Sequence, residues 1–177
     1  TSPMQSLVHD STKTNTVQGD YRFGDRKVEI VNVAIFDRVG KKTEVLVSGD
    51  QYRITQTVVA HFPVINLASG FIIRNKRGVD LFGITNKTAG VEIPRIEAGQ
   101  IFEISIEIDA WLAAGDYFLQ AANAGESGVQ YDCRIDALHF VVINTPTLFT
   151  TSMVNLNPKL RFDLIKNEQH SMGASGG

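Results

Sequence analysis

From Phe102 to Asp109 the chain alternates without a break: Phe102, Ile104, Ile106 and Ile108 are large and apolar, whereas Glu103, Ser105, Glu107 and Asp109 are polar. A period of two belongs to a pleated strand, whose successive side chains point to opposite faces, while a helical stripe needs a period near 3.6. The segment therefore predicts a strand with one dry face and one wet face. The same alternation recurs at Tyr52, Ile54, Val58 and Ala60, at Phe71 and Ile73, at Tyr117, Leu119 and Ala121, and at Leu138, Phe140 and Val142. Turn-forming runs separate these segments: Val39-Gly40-Lys41, Ser48-Gly49-Asp50, Lys76-Arg77-Gly78, Ala98-Gly99-Gln100, Ala114-Gly115-Asp116 and Gly125 to Gly128. Short strands at such spacing, with no helical period between them, predict an all-β, antiparallel immunoglobulin-like or jelly-roll sandwich rather than a parallel βαβ sheet. Among Val28, Ile30, Val31, Val33 and Ile35 the phase slips by one residue, which predicts a β-bulge.

A chain of 177 residues with 43% hydrophobic content is long enough to bury one sizeable core. Residues 1–24 are rich in Ser, Thr, Asn and Gln and read as a linker or flexible arm; 25–166 read as the sandwich; 167–177, ending Gly-Ala-Ser-Gly-Gly, read as a disordered tail. Within the sandwich, Thr147 to Lys166 is too apolar for a solvated tail. There Leu160, Phe162 and Leu164 alternate with Arg161 and Asp163, after a turn at Asn155 to Pro158. This predicts an extra C-terminal strand that joins a sheet edge, either of its own protomer or by exchange with a partner, and a homodimer is the expectation.

Charge narrows the partners. The 17 basic and 19 acidic residues give a net charge of -2 and are interspersed, so no basic stripe matches a phosphate backbone and nucleic acid is not expected. The single cysteine, Cys133, fits a reducing compartment, and no apolar run reaches the roughly 20 residues of a membrane span. A cytoplasmic location is the expectation.

No catalytic apparatus emerges, so the chain reads as a non-enzyme without cofactor or metal. Gly40-Lys41-Lys42-Thr43 resembles the end of a phosphate-binding loop but lacks the earlier glycine, because position 35 is Ile. His9, His61, His139 and His170 have no second ligand at metal spacing. Cys133 and His139 lie too far apart along one strand for a nucleophile and its base. Asp132, Asp136, Glu103 and Glu107 show no matched acid and base, and are expected to be solvated or paired with Arg134. Asn86-Lys87-Thr88 is a glycosylation sequon, which matters only in a secreted chain.

Three stretches carry a family resemblance. Gly70-Phe71-Ile72-Ile73-Arg74-Asn75-Lys76-Arg77-Gly78 is followed by Leu81-Phe82-Gly83-Ile84-Thr85-Asn86 and Gly90; Gly115-Asp116-Tyr117-Phe118-Leu119 comes next; Tyr131-Asp132 and Arg134 to Val142 close the series. In this order and spacing they resemble the C-terminal domain of Wzt, the nucleotide-binding subunit of bacterial O-antigen ABC transporters, over roughly Lys27 to Val142. The resemblance implies a domain that binds the non-reducing terminal end of a lipid-linked O-antigen polysaccharide and confers substrate specificity on the exporter. It implies as partners an ATPase domain of the same full-length chain and a transmembrane exporter subunit, and a location peripheral to the inner membrane. The alternative reading is a dimerisation or assembly sandwich without a ligand of its own.

A carbohydrate site needs planar polar groups for hydroxyls beside an apolar surface for sugar C–H faces, because every hydroxyl desolvated must regain a hydrogen bond. Strand parity turns Ile72 and Arg74 away from the core, and likewise Thr55, Thr57 and His61, Phe118, Gln120 and Ala122, and His139 and Val141. Arg74 is the candidate clamp for an anionic cap, since a guanidinium can grip it bidentately. Gln120, His139 and Tyr131 are the candidates for hydroxyl contacts, with Thr57 and His61 beside them. Trp111 is expected to anchor a loop at one end of the sandwich.

Overall fold

Nine strands form the regular structure of the residues that the computed structural model describes, which are 21–145 and Val154. They are β1 (Tyr21–Phe23), β2 (Val28–Phe36), β3 (Val45–Val47), β4 (Gln51–Ala60), β5 (Ala68–Asn75), β6 (Asp80–Thr85), β7 (Ile101–Asp109), β8 (Gly115–Ala124) and β9 (Gln130–Ile143). A six-stranded sheet runs β1-β9-β8-β5-β6 with β3 added to β9, and a three-stranded sheet runs β2-β4-β7. Pairing is antiparallel throughout except for β3, which runs parallel to β9 from Val45 opposite Val141 to Val47 opposite Ile143. At 14 residues β9 is long enough to seat two partners on one edge, β1 at Cys133 to Ile135 and β3 further along.

The all-β sandwich expected from periodicity is the observed fold. Ile30, Val33, Ile35 and Ile54 of one sheet pack against Phe71, Leu119, Phe140 and Val142 of the other, and these are the inward positions of the alternating runs. Phe71 and Phe140 are wholly buried, so truncating either to Ala would cost about 3–5 kcal/mol. The phase slip in β2 is a bulge between Ile30 and Asn32 that turns Val31 out to solvent. Trp111 anchors the sandwich end as expected, with its ring over Gly49, where an added Cβ would lie 2.7 Å from the indole and where φ is +87°. The dry face of β7 is only half-buried, because β7 is the outermost strand of the three-stranded sheet and has a neighbour on one side alone.

Two differences from the sequence reading have clear causes. β1 falls inside the segment read as an arm, held by Arg22, which reaches the carboxylate of Asp132 through Nε at 2.9 Å and Nη2 at 2.6 Å. Asp132 is therefore neither solvated nor paired with Arg134: it is wholly buried and also accepts the Ile30 amide at 2.7 Å. A carboxylate between two sheets needs such saturation, since an unpaired buried charge costs several kcal/mol. The strand expected at Leu160 to Leu164 lies outside the described residues; Val154 bridges antiparallel to Leu112 beyond the end of β7.

Candidate functional site

The wet face of the six-stranded sheet is organised in cross-strand rows, because residues opposite one another in a ladder share a face. In the first row Asp80, Arg74, Phe118 and His139 follow one another across β6, β5, β8 and β9. The second contains Gly83, Ile72 and Gln120, and the third Thr85, Gly70, Ala122 and Cys133. Ala68, Ala124 and Gln130 complete the fourth.

Rows two to four form a trough of about 330 Å³. Its floor is made of residues with little or no side chain, Gly70, Gly83, Ala122 and Ala124, while Ile72, Gln120, Gln130, Thr85 and Thr88 stand around it. The two glycines differ in kind. A Cβ on Gly70 would meet the Ile84 carbonyl oxygen within 2.2 Å, so this position needs glycine for β5 and β6 to pair at all. A Cβ on Gly83 would meet nothing nearer than Ile72 Cγ1 at 3.6 Å, so the space above it is open.

Arg74 stands in the row beside the trough and is already engaged. Its Nε and Nη2 donate to Asp80 Oδ1 at 3.1 and 3.0 Å, and Nη2 also donates to Gln120 Oε1 at 2.8 Å. This fixes the amide of Gln120, whose Nε2 donates to Cys133 Sγ at 3.5 Å. Burial, reinforced by the charge of Asp132 and opposed by that of Arg74, pushes the Cys133 thiol above its ordinary pKa. The group beneath Gln120 is thus a neutral thiol rather than a nucleophile.

Of the six residues singled out from the sequence, the structure brings three to this face. Arg74 and Gln120 are hydrogen-bonded to each other, and His139 stands one row from the trough, bonded to Asp116 at 2.9 Å and tilted against the Phe118 ring at 5.0 Å. Thr57 lies on the outer surface of the three-stranded sheet, opposite Asn32 and Glu103. His61 follows β4 at the same sheet and bonds Glu29 at 2.8 Å. Tyr131 sits at the end of the sandwich, packed on the cluster of Val28, Val58, Val64 and Leu67, with its hydroxyl over Gly125. Sequence reasoning missed Gly70, Gly83, Ala124 and Gln130; glycines inside strand patterns were the available signal of a close approach or an opening. The Asn86 sequon is closed by geometry, since its buried side chain accepts from the Ser69 amide at 2.8 Å and donates to the carbonyls of Leu67 and Val91. Among the described residues no group of His, Cys, Asp and Glu is placed to hold a metal, and no helix is long and apolar enough to cross a membrane.

No curated protein matches the sequence. The fold is similar to a crystal structure of the C-terminal domain of Wzt, with a TM-score of 0.72 at 19% identity, covering 82% of this chain and 90% of that one. Weaker likenesses are to a Niemann-Pick type C2 protein from Japanese carpenter ant, TM-score 0.48 at 10% identity over 72% and 99% of the two chains, and to chicken MD-1 complexed with lipid IVa, TM-score 0.39 at 13% over 70% and 96%. The family model for the Wzt C-terminal domain matches residues 20–156, which takes in every strand of both sheets and the whole trough, and the chain belongs to that family.

Proposed function

We propose that this domain recognises the terminal end of a lipid-linked O-antigen polysaccharide and gives an ABC exporter its substrate specificity, binding the sugar and leaving it chemically unchanged. The observation that carries the reading is the trough on the six-stranded sheet: an apolar floor at backbone level, rimmed by the amides of Gln120 and Gln130. A sugar ring has the same two-sided character, C–H surface on its faces and hydroxyls around its edge. Family membership supports the transporter context of this proposal, with an ATPase domain of a longer chain and a transmembrane subunit as the proposed partners at the cytoplasmic side of the inner membrane.

The test is titration of the 177-residue chain with the O-polysaccharide of its producing strain. Saturable binding is expected, lowered at least tenfold by Gly83→Val, which fills the trough, with the circular dichroism spectrum unchanged. Failure of the polymer to bind overturns the reading.

One observation favours the assembly reading as well. Tyr21, Val45 and Ile143 are exposed apolar residues on β1, β3 and β9, along the edge where β9 takes its two short partners. If this edge and the segment from Thr147 to Lys166 hold a homodimer, deleting that segment yields monomers by light scattering; an unchanged mass counts against it.

A further inference from the structure

We infer that the trough selects a neutral sugar end whose buried face carries a methyl-bearing, deoxygenated carbon, and that it discriminates against an anionic terminus. The inference deepens the reading of the trough as a polysaccharide site and rests on it.

Three observations lead there. First, none of the described residues lining the trough is charged. Arg74, in the adjoining row, is only 18% exposed and is neutralised by Asp80, with Nη2 shared between that carboxylate and Gln120. An anion seated in the trough would give up water without meeting a charged group in the lining, which is costly. Arg74 acts here as a positioning residue: it orients the Gln120 amide, whose Nε2 spends one N–H on Cys133 Sγ and has a second to offer a ligand.

Second, the centre of the floor offers no hydrogen bonds. Gly70 and Ala122 lie between paired strands on both sides, where backbone amides and carbonyls are engaged by neighbouring strands. A hydroxyl pressed on that floor loses water and gains no partner, at a cost comparable to a lost hydrogen bond. A methyl group or bare C–H face loses nothing there and gains burial. The threonines at the rim do not change this, because Thr88 Oγ1 already donates to the Thr85 carbonyl and accepts the Thr85 amide at 3.0 Å each.

Third, the available depth is set by Gly83. Its Cβ position is vacant to 3.6 Å, and in its row Ile72 is the cross-strand neighbour, with Gln120 on the far side of Ile72. A ring laid across Ile72 would place its hydroxyls at the Gln120 amide and its methyl group over Gly83. At about 330 Å³ the space is at the low end of small-molecule sites, suited to a chain end rather than a long repeat.

The experiment is saturation-transfer NMR of the 177-residue chain with four methyl glycosides: a 6-deoxyhexose, the parent hexose, its hexuronate and its 6-phosphate. The 6-deoxyhexoside is expected to receive the strongest transfer, greatest at its C6 methyl, and to weaken at least fivefold in Gly83→Val. The hexuronate and phosphate are expected to receive little or none. Equal or stronger transfer to either anionic glycoside overturns the inference, as does a 6-deoxyhexoside no better than the hexose. The same samples titrated with the O-polysaccharide separate the two claims. Polymer binding that Gly83→Val removes, with no preference among the four probes, overturns the neutral-end inference and leaves the recognition reading standing; no polymer binding overturns both.

Discussion

Arg22 Nη2 lies 2.6 Å from Asp132 Oδ2, tying the short first strand to a carboxylate with no exposure to solvent. Nε of the same guanidinium reaches the other carboxylate oxygen at 2.9 Å, so the pair is bidentate. Removing one partner of a buried pair leaves the other charge uncompensated, typically at about 3–5 kcal/mol. Arg22→Ala should therefore destabilise the domain by that amount in urea unfolding, and a chain started at Asp25 should lose as much. A loss below about 1 kcal/mol in both would show that β1 is dispensable.

How far this was legible beforehand varied from residue to residue. The inward apolar set at Tyr117, Leu119, Phe140 and Val142 followed from parity alone, as did the outward turn of Arg74, Gln120 and His139. Parity says that a side chain leaves the core but not by which sheet, which is why Thr57 and His61 were grouped with residues on the opposite surface. It also fails where a ladder is irregular. Between Leu119 and Ala121 of β8 the partner strand advances from Leu138 to Arg134, through Asp136 at φ +56°, and Tyr131 beyond that slip packs at the sandwich end. Inward polar residues were invisible for a further reason. Gln56 and Asn123 are buried because they bond one another across the sheets at 3.1 Å, a partnership between distant segments that no local pattern records. The trough was least legible of all, being an absence of side chains shared among strands that only the pairing brings together.

The two trough glycines should respond in opposite ways. Gly70→Ala drives a Cβ into the Ile84 carbonyl and should disrupt the β5–β6 ladder, costing at least about 2 kcal/mol. Gly83→Ala meets only ordinary contacts and should be neutral or stabilising by up to about 1 kcal/mol, since it restricts the unfolded chain. Thermal unfolding of both variants decides this; similar melting temperatures would contradict the assignment.

Alkaline pH should weaken the fold through two buried acids. Burial raises the pKa of Tyr117, whose hydroxyl donates to the Ala113 carbonyl at 2.8 Å, and it is the main cause of the upward shift at Cys133. A raised folded pKa gives stability that is fully present below the unfolded value, about 8.5 for a thiol and 10 for a phenol, and is lost as pH rises through the folded value. The urea midpoint should hold steady near neutrality and fall above about pH 9. Cys133→Ala combined with Tyr117→Phe should flatten that decline, and an unaltered slope would locate the titration elsewhere.

Binding measurements on Arg74 and Gln120 distinguish a clamp from a support. If Arg74 gripped an anionic cap itself, its removal and that of Gln120 would cost affinity independently and their effects would add. The 2.8 Å bond from Arg74 Nη2 to Gln120 Oε1 argues for the opposite, with the guanidinium holding the amide that meets the sugar. Gln120→Ala should then lower polysaccharide affinity about tenfold, the worth of one well-made hydrogen bond near 1.4 kcal/mol. Arg74→Ala should cost less, because a loosened amide still samples the productive orientation, and in the Gln120→Ala background it should cost almost nothing. Asp80→Asn supplies the complementary arm: it frees positive charge at Arg74 without touching the trough, and should improve the binding of anionic glycosides while leaving neutral ones unchanged. Full additivity of Arg74→Ala and Gln120→Ala in calorimetric titration would return Arg74 to the role of direct ligand.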